Sequence, residues 1–290
     1  MSNVVLAPDE FAYLLAVVRA PLLVGVNDSR LFPKDGKARK AVFGNGRELL
    51  ERNGWLKALA EAPGEYEFDP ALMEMVASMA DPDFVIGAVR KGTDGKYVGI
   101  LDYLAPGLII ELTIDIRGGY RLGTVADRTE LFKRMGLILR LTTPNAWGQF
   151  NLDEKVFRGL QSLAQNGNNG EAQELLKSND VGPAPAQSLL QALASPKWGM
   201  VVGLRPAWPG GAETGRKASV YGELGAAWIV QKPGRDSTEV EVTSCDTRRL
   251  ELLVNAWLEE LARPPVTVIA QVQQSSATSD TRRTADAGSP

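Results

Sequence analysis

Apolar positions along the first 140 or so residues recur in two periods, helical first and then alternating. Val4-Val5-Leu6 reads as a short strand. Pro8-Asp9-Glu10 then opens a helix whose apolar stripe is Phe11, Leu14, Leu15 and Val18. A basic, glycine-containing loop around Lys34 to Arg39 leads to a helix near Ala41–Arg52, stopped by Asn53-Gly54. A third helix is expected over Pro70–Ala80, with proline in its first turn and Asp81-Pro82 at its end. Four strands follow as a meander: Phe84–Lys91, Tyr97–Tyr103, Leu108–Ile114 and Tyr120–Val125. Their turns are Gly92-Thr93-Asp94-Gly95, Ala105-Pro106-Gly107 and Gly118-Gly119. Asp127, with Glu130 three positions on, then caps a helix whose buried stripe is Leu131, Met135, Ile138 and Leu139.

The rest of the chain repeats this plan in the same order. Helices are expected near Asp153–Ala164, Gly170–Lys177 and Pro185–Ala194, and strands near Trp198–Arg205, Lys217–Glu223, Ala227–Gln231 and Thr238–Thr243. A final helix runs over about Asp246–Ala262. Pro70 to Pro82 parallels Pro185 to Pro196, and Glu48 to Gly54 parallels Glu174 to Asp180. Asp127 and Asp246, Met135 and Val254, and Ile138 and Trp257 share one offset of 119 residues. Ordered self-similarity on this scale implies a duplicated unit. The expected fold class is α+β: an internally duplicated, quasi-two-fold antiparallel sheet with flanking helical bundles. The first repeat covers 1–141, a link 142–152, and the second repeat 153–263, all within one compact domain. Residues 264–290 form a tail, expected to be disordered from about 274.

Composition narrows the chemistry. The 290 residues include 44% hydrophobic and 23% charged, the make-up of a soluble globular protein. The chain has no histidine and one cysteine. The commonest general base, the commonest metal ligand and the usual partner of a serine or cysteine nucleophile are therefore missing. No metal or cofactor site is expected. Cys245 reads as a small core residue. A net charge of −3 gives no electrostatic case for nucleic acid or an anionic membrane. Neither a membrane-spanning run nor a secretory leader is visible, and a cytoplasmic location is expected.

No glycine-bearing segment fits phosphate binding, and Gly44-Asn45-Gly46 reads as a turn. Strand alternation makes the carboxylates Asp102, Glu111 and Asp115 solvent-facing. Arg90 and Arg205 sit at equivalent strand ends, placed to form a repeated structural ion pair with Asp127 and Asp246. Trp198, Trp228 and Trp257 read as core. Trp208 lies in the long loop from Pro206 to Arg216, and it either anchors a partner or packs back onto its own sheet.

The duplicated plan, with Leu49-Leu50 leading to Asn53-Gly54, Ala80-Asp81-Pro82-Asp83, and Val240-Glu241-Val242 running to Asp246 and Leu250, resembles the EspG family of type VII (ESX) secretion-associated proteins. The likeness covers roughly residues 4–262. It implies a non-enzymatic cytosolic chaperone that holds a secreted helical client, a PE–PPE-like heterodimer, soluble before export. It also implies that the hairpin loops and the C-terminal half present the binding surface. The residues this singles out are Thr93, Asp94 and Lys96 in one hairpin and Trp208, Pro209, Glu213 and Arg216 in the other. The short Gly92–Lys96 turn departs from relatives with a long loop there, which puts the identity of the client in question. The rival readings are an enzyme using carboxylate or lysine chemistry and a small-ligand-binding sensor domain. Under the chaperone reading, Trp208→Ala weakens client binding and leaves the thermal midpoint unchanged. An unaltered affinity in a calorimetric titration would reject the assignment.

Overall fold

A computed structural model describes residues 3–20, 23–26, 31–60, 62, 65–92, 94–114, 118–195, 197–206, 214–234 and 236–262. The first half contains β1 (Asn3–Leu6), α1 (Pro8–Val17), α2 (Gly36–Arg52), β2 (Leu56–Ala58), β3 (Tyr66–Phe68), α3 (Pro70–Ala80), β4 (Phe84–Lys91), β5 (Tyr97–Ala105), β6 (Leu108–Ile114), β7 (Tyr120–Val125) and α4 (Arg128–Leu139). The second contains β8 (Gln149–Asp153), α5 (Glu154–Gln165), α6 (Asn169–Lys177), α7 (Pro183–Ala194), β9 (Trp198–Arg205), β10 (Thr214–Tyr221), β11 (Trp228–Gln231), β12 (Glu239–Ser244) and α8 (Thr247–Ala262).

Ten of these strands form one sheet, in the order β1-β7-β6-β5-β4-β9-β10-β11-β12-β8. The order is a palindrome in structural terms, since each strand of one half has its counterpart at the same distance from the centre in the other. The seam is the antiparallel β4–β9 pair, where Gly87 faces Val202. A Cβ on Gly87 would stand 2.9 Å from a Leu101 methyl and 3.0 Å from a Val202 methyl, so a bare backbone lets these side chains close over the seam.

Helices cover both faces. On one face α1, α2 and α3 pack Phe11, Leu14, Leu50, Leu72 and Val76 against Tyr103, Tyr120 and Leu122 of the first half. On the second half, α5, α6 and α7 pack Phe157, Leu160, Leu176 and Leu189 against Trp228, Val230 and Val242. Strand alternation turns the remaining apolar side chains to the other face. There Ile86, Ala88, Val201, Val220 and Ile229 meet Phe132 and Met135 of α4 and Val254 and Trp257 of α8.

The caps repeat as well. Asp127 accepts from the Glu130 amide at 2.9 Å to start α4, and Asp246 accepts from the Arg249 amide at 2.8 Å to start α8. At the ends of α2 and α6 the chain turns through positive φ at Gly54 and at Asp180, matched positions in the duplication. The next amide returns to the helix in both, Trp55 to the Leu50 carbonyl and Val181 to the Leu176 carbonyl.

Several expectations are corrected. The helix expected from Ala41 starts at Gly36, because Asp35 caps it by accepting from the Ala38 amide at 2.7 Å. Gly44 and Gly46 therefore lie inside α2 and do not form a turn. A Cβ on Gly46 would stand 2.1 Å from the Asp9 carbonyl oxygen, so this glycine allows α1 and α2 to touch backbone to backbone. Part of the stretch read as a link is β8, which pairs with β12 and closes the second half's edge. The β2–β3 hairpin was not foreseen. The β9–β10 loop over 207–213, Asp115 and the tail from 263 lie outside the described residues.

Asp102 is the largest departure from the alternation argument. It is 0% exposed among Ile100, Leu104 and Ile86, because the face it points to is covered by α4. Both of its carboxyl oxygens are buried without a hydrogen-bond partner. Glu111, its neighbour across β5–β6, is part-buried and pairs with Arg134 of α4 at 3.2 Å. Burial lifts the Asp102 carboxyl well above the usual carboxylate range, Glu111 adds to the effect, and Arg134 opposes it. In the second half the position across from Val201 is Ala218, which is apolar and buried. The folded state thus holds a proton that the unfolded chain releases at ordinary acidic pH. Its contribution to stability is present below the unfolded pKa and is lost as pH rises toward the folded one. Asp102→Asn is expected to raise the thermal midpoint by a few degrees at pH 8, with the gap closing toward pH 4. A pH-independent difference in parallel melting curves would contradict this.

Candidate interaction surface

The two hairpin tips singled out by sequence stand apart. β4 and β9 are antiparallel neighbours, so the turns that follow them open at opposite ends of the sheet. Eight residues of strand separate the ends, roughly 25 Å at about 3.3 Å per residue.

At the first tip, Asp94 accepts from the Lys96 amide at 3.1 Å, and the Gly92 amide donates to the Lys96 carbonyl at 2.7 Å. Lys96 reaches Asp94 at 3.9 Å through solvent-exposed side chains, a contact of little energetic weight. Thr93 lies outside the described residues. Reading the turn for its charged residues missed the apolar side chains beside it: Tyr97 is 62% exposed and Val98 56%. The signal was present, since a strand that opens Tyr-Val immediately after a Gly-containing turn has no helix above it to bury both residues.

More exposed apolar surface gathers at this end of the sheet. Trp198 pairs with Lys91 on one side and Tyr221 on the other, and is only half-buried. The turn after β10 presents Leu224, whose amide donates to the Arg140 carbonyl at 3.0 Å. One turn earlier in α4, Leu137 is 70% exposed. Three large apolar side chains, Trp198, Leu137 and Leu224, thus adjoin the residues of one ionic centre.

That centre is Glu223. Its carboxylate takes Lys197, Arg90 at 3.1 Å and Arg140 at 3.2 Å, and its side chain is largely buried. Burial pushes the Glu223 carboxyl up, but the Lys197 hydrogen bond and the Arg140 and Arg90 charges outweigh it and hold the group below its ordinary value. The cluster draws on β4 and α4 from the first half and on residues flanking β9 and β10 from the second, so it ties the halves together at this end. Arg90 therefore pairs with Glu223 and not with Asp127, whose carboxylate is engaged as a cap.

The opposite end is arranged differently. Arg205 donates to the Leu261 carbonyl at 2.7 Å and so caps the last turn of α8, leaving Asp246 to cap the first. Arg216 forms a forked pair with Glu260 at 2.6 and 2.9 Å and also donates to the Pro233 carbonyl at 3.3 Å. It is thereby committed to locking β10 onto α8. Trp208, Pro209 and Glu213 lie outside the described residues.

Among the described residues no three His, Cys, Asp or Glu side chains gather as a metal cluster, and no helix is long and apolar enough to cross a membrane. Asp102 and Glu111, the carboxylates brought together by the sheet, meet where Asp102 is sealed from solvent. Burial pushes the Cys245 thiol up, away from nucleophilic use.

No protein-family model matches the chain, and no curated protein matches it in sequence. A solved structure of the Mycobacterium tuberculosis type VII secretion system chaperone EspG5 in complex with a PE25–PPE41 dimer is similar over 89% of this chain and 96% of that one, with a TM-score of 0.62 and 12% identity. At that identity the likeness is one of fold. The α+β, quasi-two-fold architecture implied by the EspG resemblance is the one this chain adopts, and its fold is similar to that of EspG5.

Proposed function

We propose that this chain is a non-enzymatic chaperone or adaptor of a type VII secretion system. It binds a secreted helical client, a PE–PPE-like heterodimer, in the cytosol and keeps it soluble for export. The observation that carries the reading is the likeness over 89% of the chain to a chaperone captured with a PE25–PPE41 dimer. The exposed apolar group at the Gly92–Lys96 end supports it, since a few apolar anchors within a polar rim are what a protein-binding surface needs. The two repeats, 1–141 and 153–263, act as one scaffold whose strand ends offer separate anchoring points. Helices are about 10 Å across, so a bundle tip of two helices by two spans about the distance between those ends. An enzyme using carboxylates would need a reachable acid and base, and Asp102 is out of a substrate's reach.

Co-expression with a PE–PPE heterodimer is expected to yield a stoichiometric complex. In a titration of that complex, Tyr97→Asp and Leu224→Asp each lower affinity at least about tenfold while the thermal midpoint holds, because both side chains are solvent-exposed in the free protein. Failure of any PE–PPE pair to co-purify, or full affinity in both variants, would overturn the reading.

A further inference from the structure

Between the first turns of α8 and strands β11, β12 and β8 the packing leaves a groove of about 270 Å³. Its floor is Ile229, Cys245 and Leu253, and it leads out past Leu252, 60% exposed, to a half-exposed Trp147. The polar side of the groove is internally satisfied. Gln149 and Gln231 each donate to one oxygen of Glu241 at 2.8 Å, and Trp257 donates to Gln231 at 3.1 Å. The single carboxylate inside is therefore occupied by two amides. At the mouth, the Arg249 guanidinium donates to Gln149 at 3.2 Å and lies 5.4 Å from the Trp147 ring centre. Arg248 beside it is exposed and forms no ion pair among the described residues. Asp246 also lines the mouth, where its carboxylate accepts from the Arg249 amide at 2.8 Å as the α8 cap, so the opening is apolar within and carries two guanidinium groups against one capping carboxylate at its rim.

The two capped helices differ at the matching place in the first half. Seven residues after its cap α4 carries Arg134, which bridges Glu111 of β6 at 3.2 Å and Glu130 of its own helix at 3.1 Å. Seven residues after Asp246, α8 carries Leu253. The preceding positions are Lys133 and Leu252. Where α4 presents an ion-bridging arginine, α8 presents an apolar side chain that lines the groove.

We infer that this groove is a docking site for an acidic, apolar-anchored segment of a second protein. An aliphatic or aromatic side chain enters over Leu252 and Leu253, and a carboxylate about one helical turn away meets Arg248 and Arg249. Charge selects this occupant. The chain's own apolar run, Val266–Val272, carries no carboxylate, and the first acid beyond it is Asp280. The groove lies toward the opposite end of α8 from Glu260, which anchors the β10 side, and it stands independently of the client reading.

Short fluorescently labelled peptides test it against the full chain by anisotropy. One carries Leu or Phe with Glu three and four residues on, and its counterpart has Lys in place of Glu. The acidic peptide is expected to bind at least about tenfold more tightly than the Lys version, and Leu252→Asp and Arg248→Glu each to remove at least about tenfold at an unchanged thermal midpoint. No binding, equal binding of both peptides, or indifference to both substitutions would overturn the proposal. So would a tenfold gain in peptide binding on Ile269→Asp, which would assign the groove to the chain's own C-terminal segment.

Discussion

The structure depends on one strand pairing, β4 against β9, because it makes two half-sheets into a single ten-stranded layer. Neither half has a closed sheet of its own: without this pair each would expose a long edge strand with unpaired amides and carbonyls. The pairing requires small residues. Gly87 admits Leu101 and Val202 on one face, and on the other Gly199 and Gly203 admit Leu139 of α4 and the Trp257 ring of α8. Glu223 reinforces the same seam at one end with cations from both halves.

Given a shared scaffold, the differences between halves are where particular function resides. A buried carboxyl at Asp102 faces the role that Ala218 fills on the other side. The ion-bridging Arg134 of α4 is matched in α8 by Leu253, which lines the groove. The turn from Gly92 to Lys96 is short where its counterpart between β9 and β10 is long. None of these changes disturbs the strand order, which is why they are free to vary. A duplicated fold with asymmetric ends has room for the proposed client on one surface and the proposed acidic segment on another.

Much of the fold was legible in the sequence because its signals are local. Gly-Thr-Asp-Gly, Ala-Pro-Gly and Gly-Gly punctuate a meander, and the Asp127 and Asp246 caps start α4 and α8 as expected. The misses have a common physical cause, which is that tertiary contact overrode the local rule. Gly44 and Gly46 look like a turn, yet both lie inside α2, where Gly46 closely approaches α1. Asp102 alternates onto a face that is buried only because α4 folds back over it. β8 lacks a strong pattern and exists because β12 offers it an edge. Asp94 and Lys96 were legible as turn residues, whereas Arg216, read as part of the loop, lies in β10 because the pairing with β9 extends to Thr214; nothing local reveals that the two hairpins open at opposite ends of the sheet, which follows from the antiparallel seam, or that Arg216 is spent on Glu260.

Native-state amide hydrogen exchange across the seam measures the central claim most directly. If the two halves form one cooperative sheet, the amides of Gly87 and Ala88 in β4 and of Val201 and Val202 in β9 exchange among the slowest in the chain, and with a common opening free energy. Slow exchange in one strand with fast, separately denaturant-sensitive exchange in the other would show two independently folding halves and contradict the account.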